Sequence, residues 1–187
     1  MNKLPGNFTL KRYGLNVRLV DEQDADFILK LRCDKTLRRY IHETDPSVQR
    51  QLEWIRSYKK RECKGEEYYF VFQIEGRPVG VYRLYNISGD SFTCGSWVFS
   101  RKSPIGAGIL GCIISRELAY EDLSLNRCFT DVNKDNISSL QFQMSFNPII
   151  LREEGGMVYF EHIKENFYKV KPIYISRCIN LLKSNIR

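Results

Sequence analysis

No run in this sequence approaches the roughly 18 consecutive apolar residues that a membrane-spanning helix requires. The opening residues, MNKLPGNFTLKRYG, hold no apolar core of secretory-signal length. Neither a membrane span nor a cleaved leader is expected, and a cytoplasmic location is. Histidine is scarce, with two in the chain. The six cysteines (Cys33, Cys63, Cys94, Cys112, Cys128 and Cys178) include no CxxC pair and no local histidine partner. That pattern argues against zinc and any other metal, and a disulfide framework does not suit a chain of this size. Reduced thiols are expected, several buried as small hydrophobes. No run of aromatics interleaved with basic residues marks a base-stacking platform, which argues against nucleic acid as a partner. Repeats, linkers and low-complexity segments are also missing, so residues 1–187 read as one domain.

What is present is an excess of positive charge, +7 overall, with Lys and Arg concentrated between Lys30 and Lys64. Such a balance favours anionic partners, phosphorylated small molecules among them, although a solvated basic face on two surface helices would give the same count.

The pattern of elements is alternating. Residues 16–20, NVRLV, read as a short strand. A helix over roughly 22–33 follows, its acidic residues first and its basic residues last, as the helix dipole prefers. A second helix begins near TDPSVQRQLEWIRSYKKREC, with Asp45 as its cap, Pro46 at its first position, and Val48, Leu52, Ile55 and Tyr58 as its buried stripe. Three strands with short turns come next: EYYFVFQIEG, PVGVYRLYNI and SFTCGSWVFS, an antiparallel meander. An apolar helix from Gly106 to Tyr120, a strand RCFTDVN, a short helix NISSLQFQMSF and a hairpin through Gly155-Gly156 complete the order. The tail from Pro172 to Arg187 reads as a final strand and helix.

One stretch carries chemistry. SRKSPIGAGILG, residues 100–111, places Gly106 and Gly108 where a strand gives way to a buried helix. Glycine lets the backbone approach an anion, and the unpaired N–H groups of a first helical turn point at it. Arg101 and Lys102 stand beside this loop.

The element order and this loop resemble the GCN5-related N-acetyltransferase (GNAT) superfamily over residues 15–170. The resemblance implies an α/β GNAT fold: a mixed central sheet with an antiparallel N-terminal meander and a splayed central strand, helices flanking both faces. It implies acetyl-CoA as co-substrate, its pyrophosphate on Ser103-Pro104-Ile105-Gly106-Ala107-Gly108 together with Arg101 and Ile109. Trp97, Val98 and Phe99 would run beside the cofactor, their backbone N–H groups available to an oxyanion. In VNKDNISSLQFQ, Asn136 and Ser139 match the positions beside the pantetheine arm, although Asn136 also reads as a helix cap. The segments ILKLRCDKTLRRYIH, QLEWIRSYKK and YYFVFQIEGRPVGVYRLYNI are similar to the RimJ/RimL-like branch and its relatives that acetylate nucleotide-linked amino sugars. The implied partners are acetyl-CoA and a small-molecule amine, a nucleotide-linked sugar or, alternatively, a protein N-terminus. The oligomeric state stays open, a dimer included.

The sequence departs from that family at four places. Ser103 stands at the first loop position, Thr93 where relatives carry a proton-accepting Glu, and Phe142 and Gln143 where a general-acid Tyr is usual. The Gly-Phe that ends the helix is SFNP, which leaves Phe146 a packing role. These losses keep a third reading open, a degenerate CoA-binding scaffold without turnover. As catalytic candidates the sequence offers His42, whose ordinary pKa suits a base, and Glu67 or Glu66 at a strand start. Tyr82 and Tyr85 could line the acceptor site, Arg32, Arg38 and Arg39 could fork onto an acceptor diphosphate, and Asp90 reads as a turn residue.

Overall fold

The computed structural model describes residues 2–41 and 43–185, with side chains through residue 182. Two strands, β1 (Thr9–Arg12) and β2 (Leu15–Leu19), form an N-terminal hairpin. Helices α1 (Ala25–Cys33) and α2 (Val48–Lys64) follow, then the meander β3 (Tyr68–Ile74), β4 (Arg77–Ser88) and β5 (Ser91–Phe99). Helix α3 (Ala107–Glu117), β6 (Arg127–Asn133), α4 (Ile137–Met144), the hairpin β7 (Ile149–Glu154) and β8 (Met157–His162), and α5 (Lys164–Asn185) complete the chain. The eight strands form one sheet in the order β1-β2-β3-β4-β5-β6-β8-β7, antiparallel except where β5 meets β6. This is the mixed, helix-flanked sheet that the sequence implies.

Local chemistry explains the turns. Glu75 and Gly76 sit at φ 50° and 76°, and Gly155 and Gly156 at 57° and 80°. Two successive residues at positive φ match the right-handed twist of the strands they join.

The sheet separates two apolar layers. On one side Ile28, Leu31, Ile55 and Tyr58 of α1 and α2 cover Tyr69, Val71, Val81 and Val98. On the other, Leu110, Ile113 and Ile114 of α3 cover Leu15, Val17, Phe70, Phe72, Tyr82 and Leu84. Helix α5 closes that second layer. Its Lys171 joins Arg12 and Tyr13 on the buried Glu117 carboxylate, at 2.6, 2.8 and 2.8 Å, tying hairpin, α3 and α5 together.

Three sequence expectations need correction, and one strand was not expected. The cap of α2 is Ser47, whose Oγ accepts from Arg50 N–H, not Asp45 with Pro46 inside the helix. Asp45 instead accepts from Ser47 N–H and pairs with Arg50. The buried stripe of α2 is Gln51, Ile55, Tyr58 and Glu62, a rotation that leaves Val48 exposed. The first strand, β1, is an additional short edge strand whose polar sequence TLKR gave no alternation. The tail is a single helix that runs through Pro172, not a strand and helix. Its partners on α3 and α4 hold it helical across a residue that removes one backbone hydrogen bond.

Candidate active site

Strands β5 and β6 pair in parallel only from Ser91–Thr93 against Arg127–Phe129. Beyond that point they diverge, and the facing edges of both strands lose their ladder partners. A bulge drives the divergence. The β4–β5 register runs Val81↔Val98 and then Arg83↔Gly95, so β5 carries one extra residue there, and Ser96 takes φ 46°. Bulges of this kind bend a strand and re-aim its backbone groups. The result is a cavity of about 880 Å³ whose walls include β5, β6 and the segment joining α1 to α2.

Glycine keeps the bend in place. A Cβ on Gly80 would lie 2.3 Å from the Phe99 ring, and one on Gly95 2.8 Å from Tyr85. Phe99 and Tyr85 can therefore cross their neighbouring strands only because those two residues lack side chains.

The loop singled out from sequence packs against β5 through Trp97 and Phe99, but Arg101, Ser103 and residues 105–109 do not themselves line the cavity. Gly106 is the N-cap of α3 at φ 92°, and no side chain caps the helix. Ala107 N–H bonds Pro104 O at 3.1 Å, while the amides of Gly108 and Ile109 have no partner among the described residues. Two unpaired donors at the positive end of an eleven-residue helix form a site of the right chemistry for a phosphate. Arg101, Ser103 and Ile105 flank it, with Ile105 65% exposed. Trp97 Nε1 donates to Gly108 O at 2.9 Å, which ties the first turn to β5. Trp97, Val98 and Phe99 line the cavity, as do Asn136 and Ser139 from the facing side. Asn136 caps α4, its Oδ1 accepting from Ser139 N–H at 3.3 Å.

On the α1–α2 side the walls are basic and aromatic. Arg83 is held in place by Glu67, whose other oxygen accepts from Arg61 Nε at 2.6 Å. Its guanidinium lies 5.1 Å from the Trp54 ring and 4.8 Å from the Tyr85 ring. That packing fixes the guanidinium, and Arg83 lines the cavity. Arg32, Arg39 and Arg50 also line it, whereas Arg38 does not. Arg32 Nε bonds Thr44 Oγ1 at 2.8 Å.

The sequence candidates for proton transfer are placed as follows. His42 lies outside the described residues. Glu67 is buried with both oxygens on guanidinium groups, so its geometry is that of a residue positioning Arg83. Glu66 is on the surface beside Lys64. Tyr82 and Tyr85 both line the cavity from opposite faces of β4: Tyr82 meets Cys112 on the α3 side, and Tyr85 faces Asp131. Burial, then the nearby Asp131 carboxylate, push the Tyr85 phenol up to about 12, so it keeps its proton at neutral pH.

Asp131 was not singled out by the sequence. It projects from the middle of β6 on the α1–α2 side, half-buried, with no hydrogen bond or ion pair among the described residues. Asp45, also on the cavity wall, is taken by Arg50 at 2.7 Å, and Glu43 is exposed on the connecting segment. Asp131 is thus the carboxylate that a rigid strand holds unpaired in the cavity. In RCFTDVN it is one of four polar residues, so nothing in the sequence set it apart.

A parallel strand pair that splays over a helix N-terminus is the architecture of an acyl-CoA-dependent N-acetyltransferase. Comparison with known proteins agrees: residues 15–145 match the family described as Acetyltransferase (GNAT) domain, and the chain belongs to that family. It is an acyltransferase. Among solved structures it is similar to apo FdhC, a nucleotide-linked sugar GNAT, with 31% identity, a TM-score of 0.80, and coverage of 90% of this chain and 97% of that one. It shares its fold with the ribosomal-protein-S5-alanine acetyltransferase from Vibrio fischeri (14% identity, TM-score 0.73, covering 86% and 99%). It shares it also with Mycobacterium smegmatis RimJ in complex with CoA-disulfide (15%, 0.70, 92% of each chain). No curated protein matches at the sequence level. The family uses acetyl-CoA; among the described residues no cluster could hold a metal ion, and no helix is long and apolar enough to cross a membrane.

Proposed function

We propose that this acyltransferase moves an acetyl group from acetyl-CoA to the primary amine of a nucleotide-linked amino sugar. The observation that carries the acceptor class is Arg83, a cavity-lining guanidinium fixed by Glu67 and packed against the Trp54 and Tyr85 rings. A planar, immobilised guanidinium among further arginines matches the paired oxygens of a diphosphate. The likeness to FdhC supports the same reading.

The donor half fits coenzyme A. The free amides of Gly108 and Ile109, with Gly106 and Ala107 at the helix start and Arg101, Ser103 and Ile105 around them, would hold the pyrophosphate. Trp97, Val98 and Phe99 along one wall, with Asn136 and Ser139 on the other, would hold the pantetheine arm. Bound acetyl-CoA supplies an acyl group activated as a thioester.

The chain's own residues then have three tasks. Asp131 takes the proton of the acceptor ammonium, since only the neutral amine attacks. The unpaired N–H groups on the open edge of β5 beyond Thr93 stabilise the negative charge that develops on the acyl oxygen. Tyr85, still protonated at neutral pH, donates a hydrogen bond within the cavity and, with Arg83, orients the acceptor.

The test is a panel assay of free CoA thiol released from acetyl-CoA. The acceptors are a nucleotide-linked amino sugar, a free amino sugar, and peptides with N-terminal Ala or Ser. Turnover confined to the nucleotide-linked acceptor is the expected result. Turnover on the peptides alone would replace this reading with a protein N-terminal one, and binding of acetyl-CoA without any turnover would make the chain a scaffold.

A further inference from the structure

Beneath the cavity floor lies a group of side chains that acyl transfer does not use. Arg116 of α3 is fully buried, and no carboxylate among the described residues reaches it. Its Nη2 donates to Gln143 Oε1 at 2.6 Å and lies 3.3 Å from His162 Nε2, while Nε and Nη1 have no hydrogen-bond partner. The anionic forms available to it belong to Cys94, Cys112, Cys128 and Tyr82. A buried cation without a fixed counter-ion is costly, and it favours ionisation of whichever acidic group lies closest.

Two of those thiols touch each other. Cys94 Sγ on β5 and Cys128 Sγ on β6 are 3.6 Å apart, at the point where the two strands stop pairing. They are not equivalent. Cys94 lines the cavity, whereas Cys128 is enclosed behind it. Burial raises both thiols, but at Cys94 the hydrogen bond from Cys128 and the Arg116 charge outweigh it and bring the thiol down to about 7. Cys128 is held well above its ordinary value by burial and by its contact with Cys94. Cys94, the sulfur that reaches the cavity, is therefore placed to attack first, and Cys128, enclosed 3.6 Å behind it, to resolve the product, the division of labour that thiol–disulfide exchange requires.

We infer that Cys94 and Cys128 form a dithiol exchange site for a low-molecular-weight disulfide that enters the cavity. In the first step the Cys94 thiolate attacks one sulfur of the small disulfide. A Cys94–S–S–R bond forms, the S–S bond of the small molecule breaks, and one thiolate leaves. In the second step Cys128 gives its proton to the departing thiol and attacks Cys94 Sγ. The internal disulfide closes and the second small thiol departs. Two electrons pass from the protein to the small disulfide, which is reduced to two thiols. Closure locks the two strands together at the base of the splay.

The site needs the open cavity but not the acyl-transfer reading, and its test reads mass alone. Native protein, free of any acyl donor, is incubated with bis(2-hydroxyethyl) disulfide, alkylated, and mapped by peptide mass. The wild type is expected to lose two hydrogens and to yield a crosslinked peptide pair joining Cys94 to Cys128. Cys128→Ser should stop at a single hydroxyethylthio group on Cys94, and Cys94→Ser should give neither product. Cys63, exposed, and Cys33, half-buried, serve as internal controls. Native wild-type protein labelled only at those two positions, with Cys94 reacting only after denaturation, would overturn the inference. A Cys128→Ser protein that leaves Cys94 unlabelled would do the same.

Discussion

In the proposed reaction Asp131 and Arg83 divide the cavity's chemistry between them. Asp131 is held on β6, a strand within the sheet, and has no hydrogen bond or ion pair among the described residues. Asp131→Asn keeps the shape and removes the proton acceptor. General-base catalysis is worth roughly 10² to 10⁴ in rate, so kcat should fall by about that range while the KM for acetyl-CoA changes little. A fall under threefold would move the base elsewhere. Arg83→Met keeps an aliphatic stem of similar length and removes the guanidinium that packs on Trp54. It should raise the KM of a nucleotide-linked acceptor at least tenfold, the loss of roughly 1.5–3 kcal/mol expected for a charged hydrogen-bonding group, with kcat much less affected. Little of this was legible in sequence. Asp131 sits in RCFTDVN as one polar residue in an edge-like pattern, and its placement in a cavity follows from the splay, a tertiary feature. Glu67 was legible as a carboxylate at a strand start, but its two arginine partners come from α2 and β4, and they make it a support for Arg83.

The elements that build the site are β5 and α3. Gly80 and Gly111 let the Phe99 ring lie between β4 and α3: a Cβ would meet that ring at 2.3 and 2.5 Å. Gly80→Ala has to displace Phe99, and overpacking of this kind costs about 1–3 kcal/mol. Urea unfolding should report a loss in that range, and acetyl-CoA affinity should drop with it, because Phe99 forms part of the wall. At the helix start, Gly106 is a poor place to probe phosphate binding. Its φ of 92° already strains any side chain, and a Cβ would come within 2.9 Å of Cys178 on α5. Ile105 is the better probe, exposed and adjacent to the free amides. Ile105→Glu should leave stability unchanged and weaken acetyl-CoA binding roughly tenfold by placing like charge at the helix N-terminus. Calorimetric titration checks it; an unchanged affinity would place the pyrophosphate elsewhere. The loop, the meander and the apolar run of α3 could all be read from sequence because each is encoded locally, by glycine, turn residues, strand formers and an unbroken apolar stretch. The β5 bulge and the course of α5 could not, since both depend on partners distant in the chain.

Across the whole molecule, the sheet joins two apolar layers, and the buried polar groups at their junction set its response to pH. His162 is held neutral, well below its ordinary 6.5, by burial and by the Arg116 charge, and its Nε2 bonds Thr130 at 3.0 Å. Unfolding releases it to bind a proton below that ordinary value. Its contribution is therefore complete above about pH 6.5 and is lost as pH falls, by at most about 1.4 kcal/mol per pH unit. Urea midpoints compared at about pH 7.5 and 5.5 should show this loss in the wild type and a smaller one in His162→Gln. Equal losses would remove His162 from the acid response. The basic surface has a second consequence. With a net charge of +7, the association rate of an anionic acceptor should fall as salt rises, as electrostatic steering requires.

Under the proposed function, the arginine-lined half of the cavity recognises the nucleotide diphosphate of the acceptor. The direct measurement is kcat/KM for one amino sugar presented with and without that nucleotide. Fixed arginine contacts worth a few kcal/mol predict a ratio of at least about 100 in favour of the linked form, largely lost in Arg83→Met. Equal values for the two acceptors in the wild type would contradict the account and leave the arginines as surface charge.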